Sequence, residues 1–372
     1  MKVAVDIRPL LTPYLSGVGF YTKFVLEYLL KQDQASDFYF YWNSWKKIKT
    51  KLPPVFYQRG KVITTRLPNK LFSFSSAWLG INFWQIRSDI FWLPAINFIA
   101  WPAGVKRVVT CHDLSWIIMP EFYSKRSRFW HWLTKAKQLY RQADLILSVS
   151  LSTTEDLVDY LHIPEEKIKT IPLGVNSLAL TDDEILAVKE KYNLPDEFVL
   201  YIGNIEPRKN IEGILSALSL LRKEKNKDIN LVVAGGSGWH RGYFVKIKKM
   251  MKADGVRYLG YITEKDKWAL YHLAKFFVYP SFYEGFGLPP LEAMSQGCPV
   301  VTSHVSSLPE VVGDGGLLVD PYNIGQIAYV MDRLWQDEEL RQELSLAGRL
   351  RSKDFSWQKT AKLTSEALTG VI

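Results

Sequence analysis

Hydrophobic and polar positions follow two alternating patterns along nearly the whole chain. Short apolar runs bounded by turn residues alternate with longer segments whose apolar residues recur at helical spacing. This alternation of strand and helix is typical of parallel α/β sheets. The predicted strands are 2–7, 90–93, 107–111, 145–149, a short one directly before Ile171, 198–202, 229–234, 256–259, 276–280 and 299–303.

The predicted helices group these strands into two doubly wound units. Their spans are 20–31, 150–161, 211–223, 240–253, 264–275, 288–296 and 357–368. We therefore expect two Rossmann-like domains, 1–173 and 174–355, with the last helix (within 356–372) packing back on the first domain. Ligands of such sheets bind outside the carboxyl ends of the strands. Two facing sheets would hold a ligand in a central cleft.

Composition excludes several classes of protein. The 372 residues are too many for one compact core, and 47% hydrophobic with 23% charged residues is typical of globular proteins. We see no signal peptide, and no apolar run long enough to predict a membrane-spanning helix. Cys111 and Cys298 lie outside any paired spacing, which predicts neither a disulfide framework nor a zinc site. A cytoplasmic protein is expected.

The positive charge is concentrated in the first half of the chain. Residues 1–170 contain 23 lysines and arginines against 13 acidic residues, and nine of the 13 tryptophans. One aromatic cluster lies within 72–92, and a second includes Tyr39, Tyr41, Trp42, Trp45, Lys46, Lys47, Lys49 and Lys51. Two interpretations remain open: contact with an anionic membrane or polyanion, or a solvated basic face over an aromatic core.

The segment 276–296 carries the strongest chemical pattern. A hydrophobic strand is followed by a loop, Glu284-Gly285-Phe286-Gly287, and a helix that begins at Leu288. Glycines allow close approach of a ligand, and a helix N-terminus suits an anion such as pyrophosphate. Glu284 and Glu292 are placed to hold hydroxyl groups at two ends of one ligand. The spacing by itself favours a simpler interpretation, in which Glu284 is a first-turn acid near the helix dipole and Glu292 a surface residue of the helix.

Three further positions at predicted strand ends are candidates. Arg208 and Lys209 are either two solvated loop cations or a clamp for the negative charge of a leaving diphosphate. Gly17 and Gly19 lie between the first strand and the first helix, without the third glycine of a dinucleotide-binding motif, which counts against NAD. His112 ends a strand, and a lone histidine there is either structural or part of a binding site. No DxD-like carboxylate cluster follows a strand, so no metal is expected.

The sequence resembles a known family at these positions. Ser281-x-x-Glu-Gly-Phe-Gly-Leu-Pro-x-Leu-Glu-Ala-Met is similar to the E-x7-E motif of glycosyltransferase family 4, a retaining family with the GT-B fold. The resemblance covers nearly the whole chain. It is specific in the second half, at 201–210, 297–303, 308–314 and 318–321. It is looser in the first half, at 6–8, 16–21 and 110–113.

This resemblance implies roles for the candidate residues. Glu284 would bind the donor sugar, Glu292 the ribose, Arg208 and Lys209 the diphosphate, and His112 would line the sugar pocket. Other donor contacts would involve Gly17, Gly19, Tyr261, Gly285, Phe286, Gly287 and Leu288. Neither glutamate would be a nucleophile, because the family implies same-face attack with the departing phosphate as base. Two choices stay open: Tyr261 is either a core or a stacking residue, and Asp113 either an acceptor contact or a cap.

The implied enzyme transfers a hexose from a nucleotide diphosphate sugar to a glycan or polyprenyl-linked acceptor. The resemblance is greatest to mannosyltransferase-type members, which favours GDP-mannose over a UDP-sugar. Synthesis of cell-surface polysaccharide or lipopolysaccharide, at the inner face of the cell membrane, is the expected setting. The alternatives are a GT-B-fold sugar-nucleotide epimerase and a basic membrane- or nucleic-acid-binding protein without catalysis. Nucleic acid is not an expected partner, since no RRM, KH or helix-turn-helix pattern is present.

Overall fold

A computed structural model describes residues 1–11, 15–45, 52–83, 87–225 and 229–372. It divides into two compact units. Unit 1 comprises 1–120, 125–174 and 356–372, and unit 2 comprises 121–124 and 175–355. The chain passes from one unit to the other after Gly174, one residue from the expected boundary.

Residues 121–124 differ from the expected division, because they associate with unit 2. Phe122 packs on Phe282 with ring centroids 5.4 Å apart, and Tyr123 stacks on Trp239 at 5.2 Å. Aromatic pairs at these distances add stabilisation beyond the area that they bury. No local pattern in the sequence indicates these long-range contacts.

Unit 1 is built on a seven-stranded parallel sheet of order β3-β2-β1-β4-β5-β6-β7. Apolar side chains fill its centre: β4 is buried along its whole length, and so are the last four residues of β5. Its strands are β1 Lys2–Asp6, β2 Asp37–Asn43, β3 Gly60–Thr65, β4 Ile90–Leu93, β5 Lys106–Cys111, β6 Leu145–Ser148 and β7 Ile168–Thr170.

Helices cover this sheet, and the C-terminal helix is one of them. They are α1 Gly17–Gln32, α2 Pro54–Arg59, α3 Asn69–Trp78, α4 Ser115–Ile118, α5 Lys125–Leu133, α6 Ala136–Gln142, α7 Leu151–Leu161 and, at the end of the chain, α16 Trp357–Gly370. Helix α16 packs on α1, where Trp357 is buried 5.4 Å from the ring of Phe24. Ser150 caps α7, since its hydroxyl accepts the Thr153 N–H at 2.9 Å.

Unit 2 contains a six-stranded parallel sheet of order β10-β9-β8-β11-β12-β13. Its strands are β8 Val199–Ile202, β9 Leu231–Ala234, β10 Arg257–Gly260, β11 Phe276–Tyr279, β12 Val300–Ser303 and β13 Gly316–Val319. The four strands β8, β9, β11 and β12 are buried throughout, as expected when helices cover both faces of a parallel sheet.

The helices of unit 2 begin at well-defined caps. Thr181 and Thr263 each form a capping box with an acid three residues later. The helices are α8 Asp182–Lys191, α9 Ile211–Lys225, α10 Arg241–Ala253, α11 Glu264–Leu273, α12 Leu288–Ser295, α13 Leu308–Val312, α14 Ile324–Gln336 and α15 Glu338–Ser352. Nowhere in the described ranges is a helix long and apolar enough to span a bilayer.

The predicted α/β class is confirmed, and each predicted strand is present within two residues at either end. Strands β2, β3 and β13 are not among the predicted strands. Strand β2 was taken for part of a basic aromatic cluster, but Tyr41 and Trp42 are buried in the core. Trp45 of that cluster is exposed, and Lys46, Lys47, Lys49 and Lys51 lie outside the described residues. Part of the aromatic surplus therefore fills the interior of unit 1.

Candidate functional site

Three neighbouring strands of unit 2 end in polar loops. Strands β8, β11 and β12 are adjacent, and the carboxyl ends of parallel strands meet at one edge of a sheet. The side chains that follow these strands define what we call the polar edge: Glu206, Arg208, Lys209, Glu284, Ser306 and Ser307. The fold thus brings Arg208 and Glu284, which are 76 positions apart in sequence, to one place.

Arg208 and Glu284 form a buried ion pair. Arg208 Nη1 lies 2.7 Å from Glu284 Oε2, and the two side chains are 9% and 11% exposed. The other oxygen, Oε1, accepts hydrogen bonds from Tyr279 Oη at 2.9 Å and Ser281 Oγ at 3.1 Å. Arg208 also donates to the carbonyl of Tyr283 at 2.6 Å. The interpretation of Arg208 as a solvated loop cation is wrong, because its guanidinium is anchored inside the protein.

A second buried carboxylate, Glu206, completes this cluster. It is 2% exposed, and its Oε2 lies 3.8 Å from Arg208 Nη2. Burial raises the pKa of Glu206, while the positive charges of Lys209 and Arg208 oppose that rise. Glu206 is not among the predicted site residues. Its position two residues before Arg208, in a loop that follows a buried strand, was the signal available.

Lys209 extends the positive charge of this edge. It ends a short 3-10 turn, Pro207–Lys209, and its Nζ lies 5.8 Å from the centre of the Tyr279 ring. Unlike Arg208, it is only partly buried. The two adjacent cations therefore have different environments, one held by carboxylates and one closer to solvent.

Serines from the loop after β12 fix the backbone of the glycine loop. Ser306 Oγ accepts the Glu284 N–H at 2.9 Å, and Ser307 Oγ donates to the carbonyls of Glu284 and Phe286 at 2.8 and 2.7 Å. Ser306 has a φ of +54°, which a non-glycine residue adopts only at a cost. The position of the Glu284 carboxylate is thus determined by its own bonds and by the backbone on which it stands.

The N-terminus of α12 has fewer free amides than a helix without proline in its first turn. Gly287 precedes the helix with a φ of +111°, and Pro289 and Pro290 follow Leu288. Proline has no N–H, so among the first three helical residues only Leu288 can donate to an anion. At this edge, Arg208 and Lys209 therefore offer more positive charge to an anion than the helix N-terminus does.

Glu292 belongs to a different hydrogen-bond network from Glu284. Its Oε1 lies 2.6 Å from Lys267 Nζ, and its Oε2 accepts from Tyr271 Oη at 3.2 Å. The side chain is 17% exposed, and burial raises its pKa although Lys267 opposes this. The interpretation of Glu292 as an ordinary surface residue is wrong, since two side chains of α11 hold its carboxylate.

Tyr261 follows β10 and is 61% exposed. The alternative that this ring fills the core is therefore wrong. Gly260, just before it, has a φ of +70°, which turns the chain at the carboxyl end of the strand. Nearby, Tyr258 Oη donates to the carbonyl of Gly235 at 2.9 Å, which ties β10 to the loop after β9.

In unit 1, Gly17 and Gly19 lie within the first turn of α1 and not in a loop before it. The predicted start at residue 20 was wrong, because Ser16 caps the helix and accepts the Gly19 N–H at 3.4 Å. A Cβ at Gly19 would lie 3.2 Å from the carbonyl oxygen of Pro9, whereas one at Gly17 would meet nothing within 4 Å. Close packing therefore favours glycine at 19, where a Cβ would be crowded, but not at 17.

His112 lies directly after β5 and is fixed by two neighbours. Its Nε2 is 2.7 Å from the carbonyl of Pro94, and its ring meets that of Tyr21 edge-on at 4.8 Å. The carbonyl can only accept, so Nε2 carries a proton. Burial lowers the pKa of His112, which keeps the imidazole neutral near pH 7. Its Nδ1 is then available as an acceptor.

Asp113 acts as a cap in this structure. Its Oδ1 accepts from Ser115 N at 3.1 Å and from Ser115 Oγ at 2.6 Å, at the start of α4. These contacts match the second of the two roles that the sequence left open.

The described ranges contain no group of three or more His, Cys, Asp or Glu side chains arranged to hold a metal ion. Cys111 and Cys298 are buried thiols, each with its pKa raised by burial.

Comparisons with known proteins agree with this division of the chain. Residues 16–177 match the family described as Glycosyltransferase Family 4, and residues 182–351 match Glycosyl transferases group 1. The chain is 40% identical over 271 residues to the O-antigen chain mannosyltransferase B of Escherichia coli, which covers 70% of each protein. It is 34% identical over 303 residues to the serotype-specific mannosyltransferase WbdA of E. coli, spanning 78% of this chain but only 36% of that longer protein.

Among solved structures, sucrose-phosphate synthase from Thermosynechococcus elongatus superposes with a TM-score of 0.78 at 19% identity, over 99% of this chain and 98% of that one. This similarity confirms the predicted GT-B fold. Together with the two family matches and the 40% identity over most of the chain, it shows that the protein belongs to glycosyltransferase family 4.

Proposed function

We propose that this glycosyltransferase moves a mannosyl residue from GDP-mannose to a glycan on a lipid-linked acceptor, with retention of configuration and without a metal. The product would be part of an O-antigen or another cell-surface polysaccharide, made at the cytoplasmic face of the membrane. The donor and product class are supported by the 40% identity to O-antigen chain mannosyltransferase B, over 70% of both chains.

The observation that carries the chemistry is the pair of cations at the polar edge. In the transfer, the bond between C1 of the sugar and the phosphate oxygen breaks, and its electron pair stays on the diphosphate. Arg208 and Lys209 would stabilise that charge, as pre-positioned cations do when they cost no reorganisation. The acceptor oxygen would bond to C1 from the same face, and its proton would pass to the departing phosphate.

The remaining residues would position the donor. Glu284 would accept hydrogen bonds from hydroxyl groups of the sugar, which requires its carboxylate to exchange some of its present bonds to Arg208, Tyr279 and Ser281. Glu292 would bind the ribose. His112 would present Nδ1 to a sugar hydroxyl, and the first turn of α1 at Gly19 would contact the diphosphate through its backbone.

A panel of GDP-, UDP- and ADP-sugars tests the donor assignment. A ligand that binds only the folded state raises its stability by about 2.7 kcal/mol at a hundredfold excess over Kd. GDP-mannose should therefore raise Tm most. A larger shift with a UDP- or ADP-sugar would contradict the proposed donor.

Two product measurements test the reaction. With an acceptor, the new linkage should keep the anomeric configuration of the donor, and the rate should be unchanged after treatment with EDTA. Inversion would contradict the proposed mechanism, and loss of activity with EDTA would contradict metal independence. Conversion of the nucleotide sugar to an epimer in the absence of acceptor would instead favour the epimerase alternative.

A further inference from the structure

Unit 1 exposes a group of large apolar side chains on two helices. We call this group the aromatic patch: Leu71, Phe74 and Trp78 of α3 with Phe129 and Trp132 of α5. Each is between 40% and 60% exposed. Single exposed apolar residues are ordinary on protein surfaces, but contiguous groups of them mark interaction sites.

The patch is continuous across the two helices. The rings of Trp78 and Trp132 lie 5.4 Å apart, and Phe129 stacks on Trp132 at 5.6 Å. Spacings of three and four residues place Leu71, Phe74 and Trp78 along one face of α3. On the other side of that helix, Phe72 is buried in the core of unit 1. Helix α3 therefore has one face for the core and a second apolar face toward solvent.

The two segments that carry the patch are basic. Lys70, Lys125, Arg126 and Arg128 are exposed, and Lys135 Nζ lies 4.4 Å from the centre of the Trp78 ring. The segments 69–83 and 125–137 that carry the patch contain no Asp or Glu. Apolar side chains flanked in the sequence by cations, and by no acid within these two segments, fit a partner that is apolar inside and anionic at its surface.

We propose that the aromatic patch docks this protein on a bilayer that contains anionic lipid. Tryptophan rings favour the boundary between acyl chains and headgroups, and lysines and arginines there bind lipid phosphates. A nucleic acid would use the cations but would leave the aliphatic Leu71 without an apolar environment. This docking rests on the lipid-linked acceptor of the proposed function, and it adds the surface that would bring the protein to such an acceptor. Vesicle binding needs neither donor nor acceptor, so the docking and the proposed activity can fail separately.

Flotation with vesicles tests the docking. The protein should bind vesicles in which roughly a third of the lipid is phosphatidylglycerol, and bind pure phosphatidylcholine weakly. The double variant Phe129→Ser/Trp132→Ser should bind the anionic vesicles at least about tenfold more weakly. The double variant Arg126→Gln/Arg128→Gln should bind anionic vesicles about fivefold more weakly for each cation removed. Its binding to pure phosphatidylcholine should not change.

Trp45→Ser is the matched control. Trp45 is as exposed as Trp132 and belongs to the other basic aromatic cluster of unit 1, so this variant should bind as the wild type does. Circular dichroism and thermal melting show whether each variant is folded.

Three outcomes would overturn the proposal. The first is that the folded wild type does not bind anionic vesicles. The second is that Trp45→Ser weakens vesicle binding as much as Phe129→Ser/Trp132→Ser does. The third is that Phe129→Ser/Trp132→Ser binds anionic vesicles as well as the wild type. A change of oligomeric state in the patch variant, without vesicle binding by the wild type, would assign the patch to self-association.

Discussion

At the scale of single residues, the guanidinium of Arg208 lies between two carboxylates at the polar edge. A buried cation is stable only when it is paired, and Glu206 and Glu284 supply that pairing. The same contacts pre-position Arg208 for an incoming diphosphate. Structural and proposed functional roles therefore coincide in one side chain, and experiments must separate them.

Replacing Arg208 with alanine should lower turnover by about a hundred- to a thousandfold, as loss of one pre-positioned charge does. It should also reduce stability by about 3–5 kcal/mol, because two buried carboxylates lose their partner. Steady-state kinetics and urea unfolding measure the two effects. Lys209→Ala should lower turnover with little change in stability, since Lys209 is only partly buried. The exposed Lys248→Ala is the control, and a near-wild-type rate in Arg208→Ala would contradict the clamp.

Glu292 provides a prediction on pH. Its folded pKa lies above the ordinary value of 4.5, because burial disfavours the charged form. The folded state thus binds its proton more tightly than the unfolded state, so stability is lost as pH rises through this range. Glu292→Gln removes that loss, and its amide oxygen can still accept from Tyr271. Urea unfolding between roughly pH 4 and pH 7 should show a flatter profile for the variant. Parallel profiles would show that the environment of Glu292 does not shift its titration.

At the scale of elements, the glycine loop and α12 act as one unit. Gly287 has a φ of +111°, and a Cβ there would lie 2.9 Å from Leu308 of α13. The serines after β12 hold the loop from the other side. This loop can therefore change little without moving the carboxylate of Glu284.

Gly287→Ala should destabilise the protein by about 1–3 kcal/mol and reduce turnover strongly. Gly255→Ala is the matched control, because Gly255 also has a positive φ, of +60°, but a Cβ there meets nothing within 4 Å. Gly255→Ala should reduce the free energy of unfolding by about 1 kcal/mol and leave turnover unchanged. Equal effects of the two substitutions on turnover would show that the loop does not position Glu284.

At the scale of the whole molecule, the last helix of the chain completes the first unit. Trp357 is buried against Phe24 and Tyr21 of α1, and Thr360 Oγ1 donates to the carbonyl of Pro172 at 2.8 Å. Unit 1 is therefore assembled from both ends of the sequence. Its stability should depend on residues that follow unit 2 in the chain.

Trp357→Ala should destabilise unit 1 by about 3–5 kcal/mol, as expected for a large buried ring. Gln358→Ala, at the next and exposed position, should have almost no effect. Thermal unfolding by calorimetry should show a lower transition for the first variant only. If Tm did not change in Trp357→Ala, the assignment of α16 to the core of unit 1 would be wrong.

Local patterns in the sequence predicted most of the strands, about half of the helices, the two-unit organisation and the segment around Glu284. These features are local, since periodicity, caps and turn residues act over a few positions. The sequence did not identify β2, because a strand buried on both faces has no alternation and reads as an aromatic cluster. Nor did it identify the start of α1, which the Ser16 cap places three residues earlier than the apolar pattern indicates.

Which of these residues meet, and which are buried, depends on how the chain folds. Three features depend on strands that are adjacent in space but distant in sequence. They are the pairing of Arg208 with Glu284, the separate hydrogen-bond network of Glu292, and the place of Glu206 in the buried charge cluster. Burial likewise separated Tyr41 and Trp42, which fill the core, from Phe129 and Trp132, which face solvent. Composition counts aromatic residues and charges, but only the packing of helices on sheets determines whether each contacts protein or solvent.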